Sequence, residues 1–151
     1  GGPNHEELVS LIGIHEYFDD LYNHHFSDKN TSIRNKIEKI NELISLHEEK
    51  IANPLLDYIN TQPNIKLIGK KIIQNKNRAP IIAFTVNNES SKQISNKLIN
   101  NGIATRNDNF YSWRCLKALG IDTKDGVVRT SMVHYNTEED VAKLINVLKK
   151  I

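Results

Sequence analysis

Apolar residues recur every three or four positions over the first sixty residues, which predicts two amphipathic helices. A polar break at residues 27–31 separates them. Either a kink or a restart of the second helix is expected near residue 53, because the proline at position 54 disrupts the interior of a helix. The first helix is expected over residues 4–25, with an apolar stripe formed by Leu8, Leu11, Ile12, Phe18, Leu21 and Tyr22.

From about residue 64 the pattern changes to short apolar runs, which are typical of β-strands. Such runs lie at residues 65–68, 81–86, 103–105 and 127–133. Helical stripes between and after them begin near Ser90, Trp113 and Thr137. This order predicts an α+β fold with a small, mostly antiparallel sheet of three or four strands, covered by helices. We therefore expect an N-terminal helical segment over residues 1–62 and an α+β domain over residues 63–151.

Charge, hydropathy and cysteine content limit the expected partners and the expected cellular compartment of this protein. Twenty basic against eighteen acidic residues leave a net charge of only +2, so nucleic acid is not an expected partner. No apolar run approaches the roughly 20 residues of a membrane-spanning helix, and we expect no membrane association. The one cysteine, Cys115, has no internal disulfide partner, which favours a cytoplasmic protein. Since the chain lacks an initiating Met, we expect it to be part of a longer protein.

The six histidines lack the spacing of metal ligands, so we predict no metal site. Cys115 lies in a predicted helix beside Trp113 and Leu116, with no histidine next to it. This context predicts a buried thiol rather than a nucleophile.

Arginine is scarce in this chain, with five arginines against fifteen lysines. Arg78, Arg106 and Arg129 lie beside or within predicted strands. Arg129 interrupts a strand that should be mostly buried, where a charge costs free energy unless a carboxylate or phosphate meets it. The pattern leaves three interpretations open: an arginine that binds an anionic ligand, an arginine in a structural salt bridge, and an arginine at a strand end in solvent.

A turn-rich loop follows Arg106 and carries Asn109, Phe110 and Tyr111. Binding groups often collect in loops at strand ends. Turn formation and simple packing of the two rings would explain the same residues, so both interpretations stay open.

Taken in order, four segments carry a resemblance to a known family. They are Gly-Pro-Asn-His-Glu near the start, Arg78-Ala79-Pro80 before a strand, the loop from Arg106 to Tyr111, and the stretch from Val128 to Glu139. Together they resemble the C-terminal part of class V aminotransferases, which are fold-type I pyridoxal-phosphate (PLP) enzymes. The chain is most similar to the cysteine-desulfurase-like branch of that family.

The resemblance implies roles for several residues. Arg129 would bind the α-carboxylate of an amino-acid substrate, and Arg106 would lie at the mouth of the active site. Asn109, Phe110 and Tyr111 would form an active-site loop. The turn that contains Gly2 and Asn4 would approach the PLP phosphate of a partner subunit, so the resemblance also implies a homodimer.

Two departures from the family pattern limit what the resemblance implies. Tyr111 occupies the position of the catalytic cysteine of desulfurases, Asp108 replaces a glycine, and Cys115 lies four residues too late. Chemistry that forms a persulfide on this loop is therefore not expected. The PLP-linking lysine of the family belongs to a large domain that would precede residue 1, so we expect this chain alone to be inactive and to hold no PLP tightly.

Two alternatives do not involve catalysis. The chain would then be a small α+β module that binds a metabolite or a protein through Arg106 and Arg129. Otherwise it would be a dimerisation module that associates through its first helix.

Overall fold

A computed structural model describes residues 2–28, 30–74 and 76–151. Within these residues the chain forms five helices and four strands, which confirms the predicted α+β class. It divides into two compact units, one up to Leu46 and one from His47 to Ile151. The elements are α1 His5–His25, α2 Ile33–Thr61, β1 Ile65–Ile68, β2 Ile81–Val86, α3 Ser91–Asn100, β3 Arg106–Asp108, α4 Trp113–Ala118, β4 Val127–Ser131 and α5 Glu138–Leu148.

The first unit contains α1 and the beginning of α2. Tyr22 and Ile40 are fully buried, and Lys36 Nζ donates to Asp19 Oδ1 at 2.8 Å. These contacts join the two helices. The apolar side of α1 is only partly covered within this unit, because more than half of the surface of five residues stays exposed, namely Leu8, Val9, Leu11, Ile12 and Ile14.

Gly13 lies in the interior of α1, and a Cβ added there would meet no atom of the described chain within 4 Å. Glycine destabilises a helix interior because it loses more backbone entropy on folding than alanine does. We expect Gly13→Ala to raise the free energy of unfolding by about 0.5–1 kcal/mol, measured by urea unfolding of the chain. A lower stability would show that space at this position is needed for packing.

Of the two possibilities expected near residue 53, the restart is wrong, because α2 continues through Pro54 to Thr61; the kink stays a prediction. Packing outweighs the lost backbone hydrogen bond. Ala52 and Leu55 on either side are fully buried. Asn53 fixes this turn further, because its Nδ2 donates to Ile73 O at 3.0 Å and its Oδ1 accepts from Ile73 N at 2.9 Å.

The four strands form one antiparallel sheet in the order β1-β2-β4-β3. The third strand begins at Arg106, so the prediction of a strand at residues 103–105 is wrong. The reason is the end of α3, where Ile103 N donates to Leu98 O at 3.0 Å and Gly102 N donates to Ile99 O at 2.8 Å. Ile103 therefore still belongs to the helix cap, and strand pairing begins only later.

One face of the sheet packs against the end of α2, α3 and α5, and we call it the inner face. Its central residues Phe84 and Val128 are opposite each other in the register and fully buried. They share the core with Leu55, Ile94 and Leu144. Side chains alternate along a strand, so Ala83, Arg106 and Arg129 point to the opposite side, which we call the outer face.

Two of the helices that cover the inner face begin where the sequence predicts, near Ser90 and Thr137. Ser90 with Gln93, and Thr137 with Asp140, form complete capping boxes. In the described residues, no helix combines the length and the apolar character needed to cross a bilayer.

Candidate functional site

Arg106 and Arg129 face each other across β3 and β4. Directly opposed residues of an antiparallel pair lie on the same side of the sheet, with Cβ atoms about 4.5–5.5 Å apart. The intervening residue of β3 confirms the direction, because Asn107 Nδ2 donates to Ser91 Oγ of α3 at 3.2 Å on the inner face. The two arginines that the sequence singled out therefore lie side by side on the outer face.

The Arg129 guanidinium lies over the ring of Phe110, in a cation–π contact that we call the stack. Its Cζ lies 4.0 Å from the ring centroid, and both side chains are partly buried. A stacked guanidinium keeps its N–H groups in its own plane, where they point past the ring. Among the described residues, no carboxylate oxygen lies within 4.0 Å of Arg129. The alternative of a structural salt bridge within this part of the chain is therefore wrong.

The loop that carries Phe110 is held by hydrogen bonds from Asn109. Its Oδ1 accepts from Tyr111 N at 3.0 Å, and its Nδ2 donates to Thr123 O at 3.3 Å. Phe110 and Tyr111 both adopt positive φ, at 50° and 59°. Bulky residues rarely adopt this conformation, which costs about 1–3 kcal/mol at each position. The local bonds and the stack on Arg129 stabilise this strained turn.

Gly126 allows the base of this loop to approach β4 closely. A Cβ at this position would overlap the carbonyl carbon and oxygen of Asp108 and would lie 2.7 Å from Asn109 N. Its φ of 75° also belongs to the left-handed region that favours glycine. Gly126 thus helps to position the loop that carries Phe110. No local pattern predicts this close approach to Asp108, although a glycine next to Asp125 is a typical turn signal.

Asp125 ties the far end of the same loop to α3. Both of its carboxylate oxygens accept from Ser91 N at 3.0 Å, and its backbone carbonyl accepts from Ser91 Oγ at 2.5 Å. A carboxylate at a helix N-terminus satisfies N–H groups that have no partner in the helix. The segment between β3 and β4 is therefore anchored at both ends. Sequence reasoning missed this anchor, because no local pattern connects Asp125 with Ser91.

Three other residues from the sequence analysis lie apart from the stacked pair. The side chain of Tyr111 is 99% exposed. The thiol of Cys115 is exposed, so the prediction of a buried thiol is wrong; α4 is short and buries Leu116 instead. Arg78 donates to the carbonyl oxygens of Lys70 and Ile81 and closes the loop before β2. Burial lowers the pKa of Arg78.

Gly2 and Asn4 belong to the first unit, at the start of α1. Asn4 Oδ1 accepts from the N–H groups of Glu6 and Glu7 at 3.2 and 3.3 Å, so its side chain caps the helix. The two glutamates place negative charge in the first turn, which disfavours a phosphate there. A Cβ at Gly2 would meet no described atom within 4 Å, so the chain builds no tight cradle around it. These residues as arranged do not fit a phosphate, and their contact with PLP stays a prediction.

A cleft of about 430 Å³ opens between residues 102–105, the end of β4 and the beginning of α5. Neither Arg106 nor Arg129 lines it. The Asp140 carboxylate on its wall accepts from Thr137 N at 3.0 Å and is engaged in the cap of α5. The cleft is thus separate from the paired arginines.

Comparisons with known proteins show the family of this chain. A family model described as "Aminotransferase class-V" matches residues 33–144. "Aminotransferase-like protein FGM3" of Gibberella zeae is 32% identical over 111 residues, which are 73% of this chain and 28% of that protein. The chain therefore spans less than a third of the length of this relative.

Solved structures share the fold. A cysteine desulfurase from Thermococcus onnurineus NA1 aligns with a TM-score of 0.66 and 23% identity, over 78% of this chain and 28% of the other. A NifS-like protein from Rickettsia africae ESF-5 aligns with a TM-score of 0.59 and 18% identity, over 76% of this chain and 30% of the other. At this level of identity the likeness establishes the fold alone.

Proposed function

Since the chain belongs to the class-V aminotransferase family, we propose that it is the C-terminal part of a PLP-dependent enzyme that acts on an amino acid. In this proposal Arg129 binds the α-carboxylate of the substrate. The observation that carries it is the Arg129 side chain itself, which is partly buried, stacked on Phe110 and without a carboxylate within 4.0 Å in the described chain.

The stack prepares Arg129 for a planar acid group. Phe110 holds the guanidinium in one orientation before the ligand arrives, so less side-chain entropy is lost on binding. A carboxylate that approaches in the plane of the guanidinium accepts two parallel N–H bonds, and such charge-assisted pairs are about twice as strong as neutral ones. Arg129 is therefore suited to binding a carboxylate in one fixed orientation.

Binding the carboxylate at one point restricts how the amino acid is oriented about its Cα, which determines the bond that reacts. PLP, when bound to the full-length enzyme, supplies an electron sink for that reaction. Asn109, Phe110 and Tyr111 form one wall of the site in this proposal, with Arg106 at its mouth. Tyr111 cannot replace the catalytic cysteine of desulfurases, because a phenol has no thiol on which a persulfide could form. Persulfide chemistry on this loop is therefore not part of the proposal.

The proposal places residues 63–151 in a small domain and residues 1–62 in the connection to a large domain that holds PLP and its lysine. A second subunit completes a homodimer in this scheme. The apolar residues exposed on α1, including Leu11 and Ile12, support an additional protein surface that packs against this helix, because contiguous exposed apolar patches mark interaction sites.

The proposal is tested by comparing the full-length protein with the 151-residue chain. We expect the full-length protein to retain PLP through dialysis, with an absorbance band near visible wavelengths, and to convert at least one amino acid in a panel assay. The chain alone should release PLP and show no turnover. A full-length protein that neither retains PLP nor converts any amino acid would contradict the proposed function.

A further inference from the structure

The paired arginines carry more positive charge than one α-carboxylate would neutralise. Arg106 and Arg129 are directly opposite in the register of β3 and β4 and point to the same face. Like charges in this arrangement destabilise a sheet. An arrangement that costs stability at the proposed substrate site calls for a compensating ligand.

The described chain does not provide that compensation. No carboxylate oxygen lies within 4.0 Å of either guanidinium in the residues that the structure describes. Asp108 shares the outer face with Arg106, but its Oδ1 accepts from the N–H of Asn109 at 2.7 Å. Its carboxylate is thus directed to the loop backbone rather than to the arginine two residues before it.

The two arginines also differ in their surroundings. Arg129 is partly buried and fixed by Phe110, whereas Arg106 is exposed at the beginning of an edge strand. A carboxylate bound in the plane of Arg129 offers both of its oxygens to that one guanidinium. In the residues that the structure describes, Arg106 then has no carboxylate partner, and its side chain is exposed beside the bound carboxylate.

We propose that the substrate is an amino acid with a second acid group in its side chain, and that Arg106 binds this second group while Arg129 binds the α-carboxylate. This inference rests on the proposed function, because it uses the same site. The acid would be a carboxylate or a chemically similar oxyacid, since a guanidinium pairs with either through two oxygens.

The test uses ligands that bind without reacting. Succinate and glutarate are compared with their monoamides, succinamate and glutaramate, which keep one carboxylate and have nearly the same shape. Dissociation constants are measured by calorimetry on the full-length, PLP-loaded protein. We expect at least one diacid to bind roughly tenfold more tightly than its monoamide, which corresponds to one additional charge-assisted contact.

The variants separate the two arginines. Arg106→Gln should abolish the preference for the diacid and weaken monoamide binding much less than diacid binding, whereas Arg106→Lys should keep part of the preference. Arg129→Gln should weaken binding of both ligands. Arg34→Gln removes the same charge from an exposed pair with Glu38 in the first unit, and should change neither.

Two results would overturn this inference while leaving the proposed function in place. One is the absence of any preference for a diacid, including the case in which neither diacid binds measurably. The other is an equal loss of diacid and monoamide affinity in Arg106→Gln, because both arginines would then share a single carboxylate. If instead Arg129→Gln leaves both affinities unchanged, the proposed α-carboxylate role of Arg129 fails, and the further inference fails with it.

Discussion

Replacing Arg129 with glutamine should raise the KM of the full-length enzyme for its amino-acid substrate by roughly 10- to 100-fold. The substitution removes charge-assisted hydrogen bonds worth about 1.5–3 kcal/mol, and each 1.36 kcal/mol changes an equilibrium constant tenfold. The PLP content, read from its absorbance, should stay unchanged, because the proposal assigns Arg129 to the substrate and not to the cofactor. Steady-state kinetics over a range of substrate concentrations measures the effect.

Two further variants show whether geometry or charge is responsible. Arg129→Lys keeps the positive charge but loses the planar group that stacks on Phe110, so its KM should lie between those of the wild type and Arg129→Gln. Arg34→Gln, in the first unit, removes an exposed arginine and should leave KM unchanged. A wild-type KM in Arg129→Gln would remove the α-carboxylate role from this residue.

Replacing Gly126 with alanine should destabilise the chain by roughly 2–4 kcal/mol, with contributions from backbone strain and from overlap with a neighbouring backbone. The new Cβ would overlap the carbonyl group of Asp108, which cannot move aside as a flexible side chain can. Relief requires the base of the loop to shift, and Phe110 shifts with it. Urea unfolding measures the loss of stability. In the full-length enzyme the same variant should also raise KM for the substrate, because the stack on Arg129 is disturbed.

Gly120 provides a matched control. It also has a positive φ, 69°, but a Cβ there would meet no described atom within 4 Å. Gly120→Ala should therefore cost only the backbone strain, about 1–2 kcal/mol, and leave KM unchanged. Equal stability losses in the two variants would mean that the close approach of Asp108 to Gly126 contributes nothing.

The sequence was sufficient for the elements whose signals are local. The apolar stripe of α1, the runs of β1 and β2, and the helix starts near Ser90 and Thr137 all lie within short windows. Hydrophobic periodicity and side-chain capping act over three to four residues, so they can be read without a tertiary structure. The prediction failed where distant contacts outweighed local preference, as at Pro54, where Asn53 binds the backbone of Ile73.

The residues of the candidate site were predicted from the sequence, but their arrangement was not. Arg129 was found because a charge in a buried strand requires an explanation, and Arg106 because it begins a loop at a strand end. That these two residues face each other depends on the register of β3 and β4, and a shift of one residue would have turned one of them to the inner face. The exposed thiol of Cys115 was also not predictable from local sequence. Which side of α4 is buried depends on where distant parts of the chain pack against it.

The amino-acid sequence alone determined which residues could bind an acid group, because charge and residue type are properties of single positions. It also determined the α+β class, because periodicity is a property of short segments. Only the tertiary structure decided that Arg129 stacks on Phe110, that Arg106 stands opposite Arg129, and that Gly126 makes room for Asp108. Each of these three facts joins residues that are 18 to 23 positions apart, and strand pairing and close packing, rather than any local preference, set the distances between them.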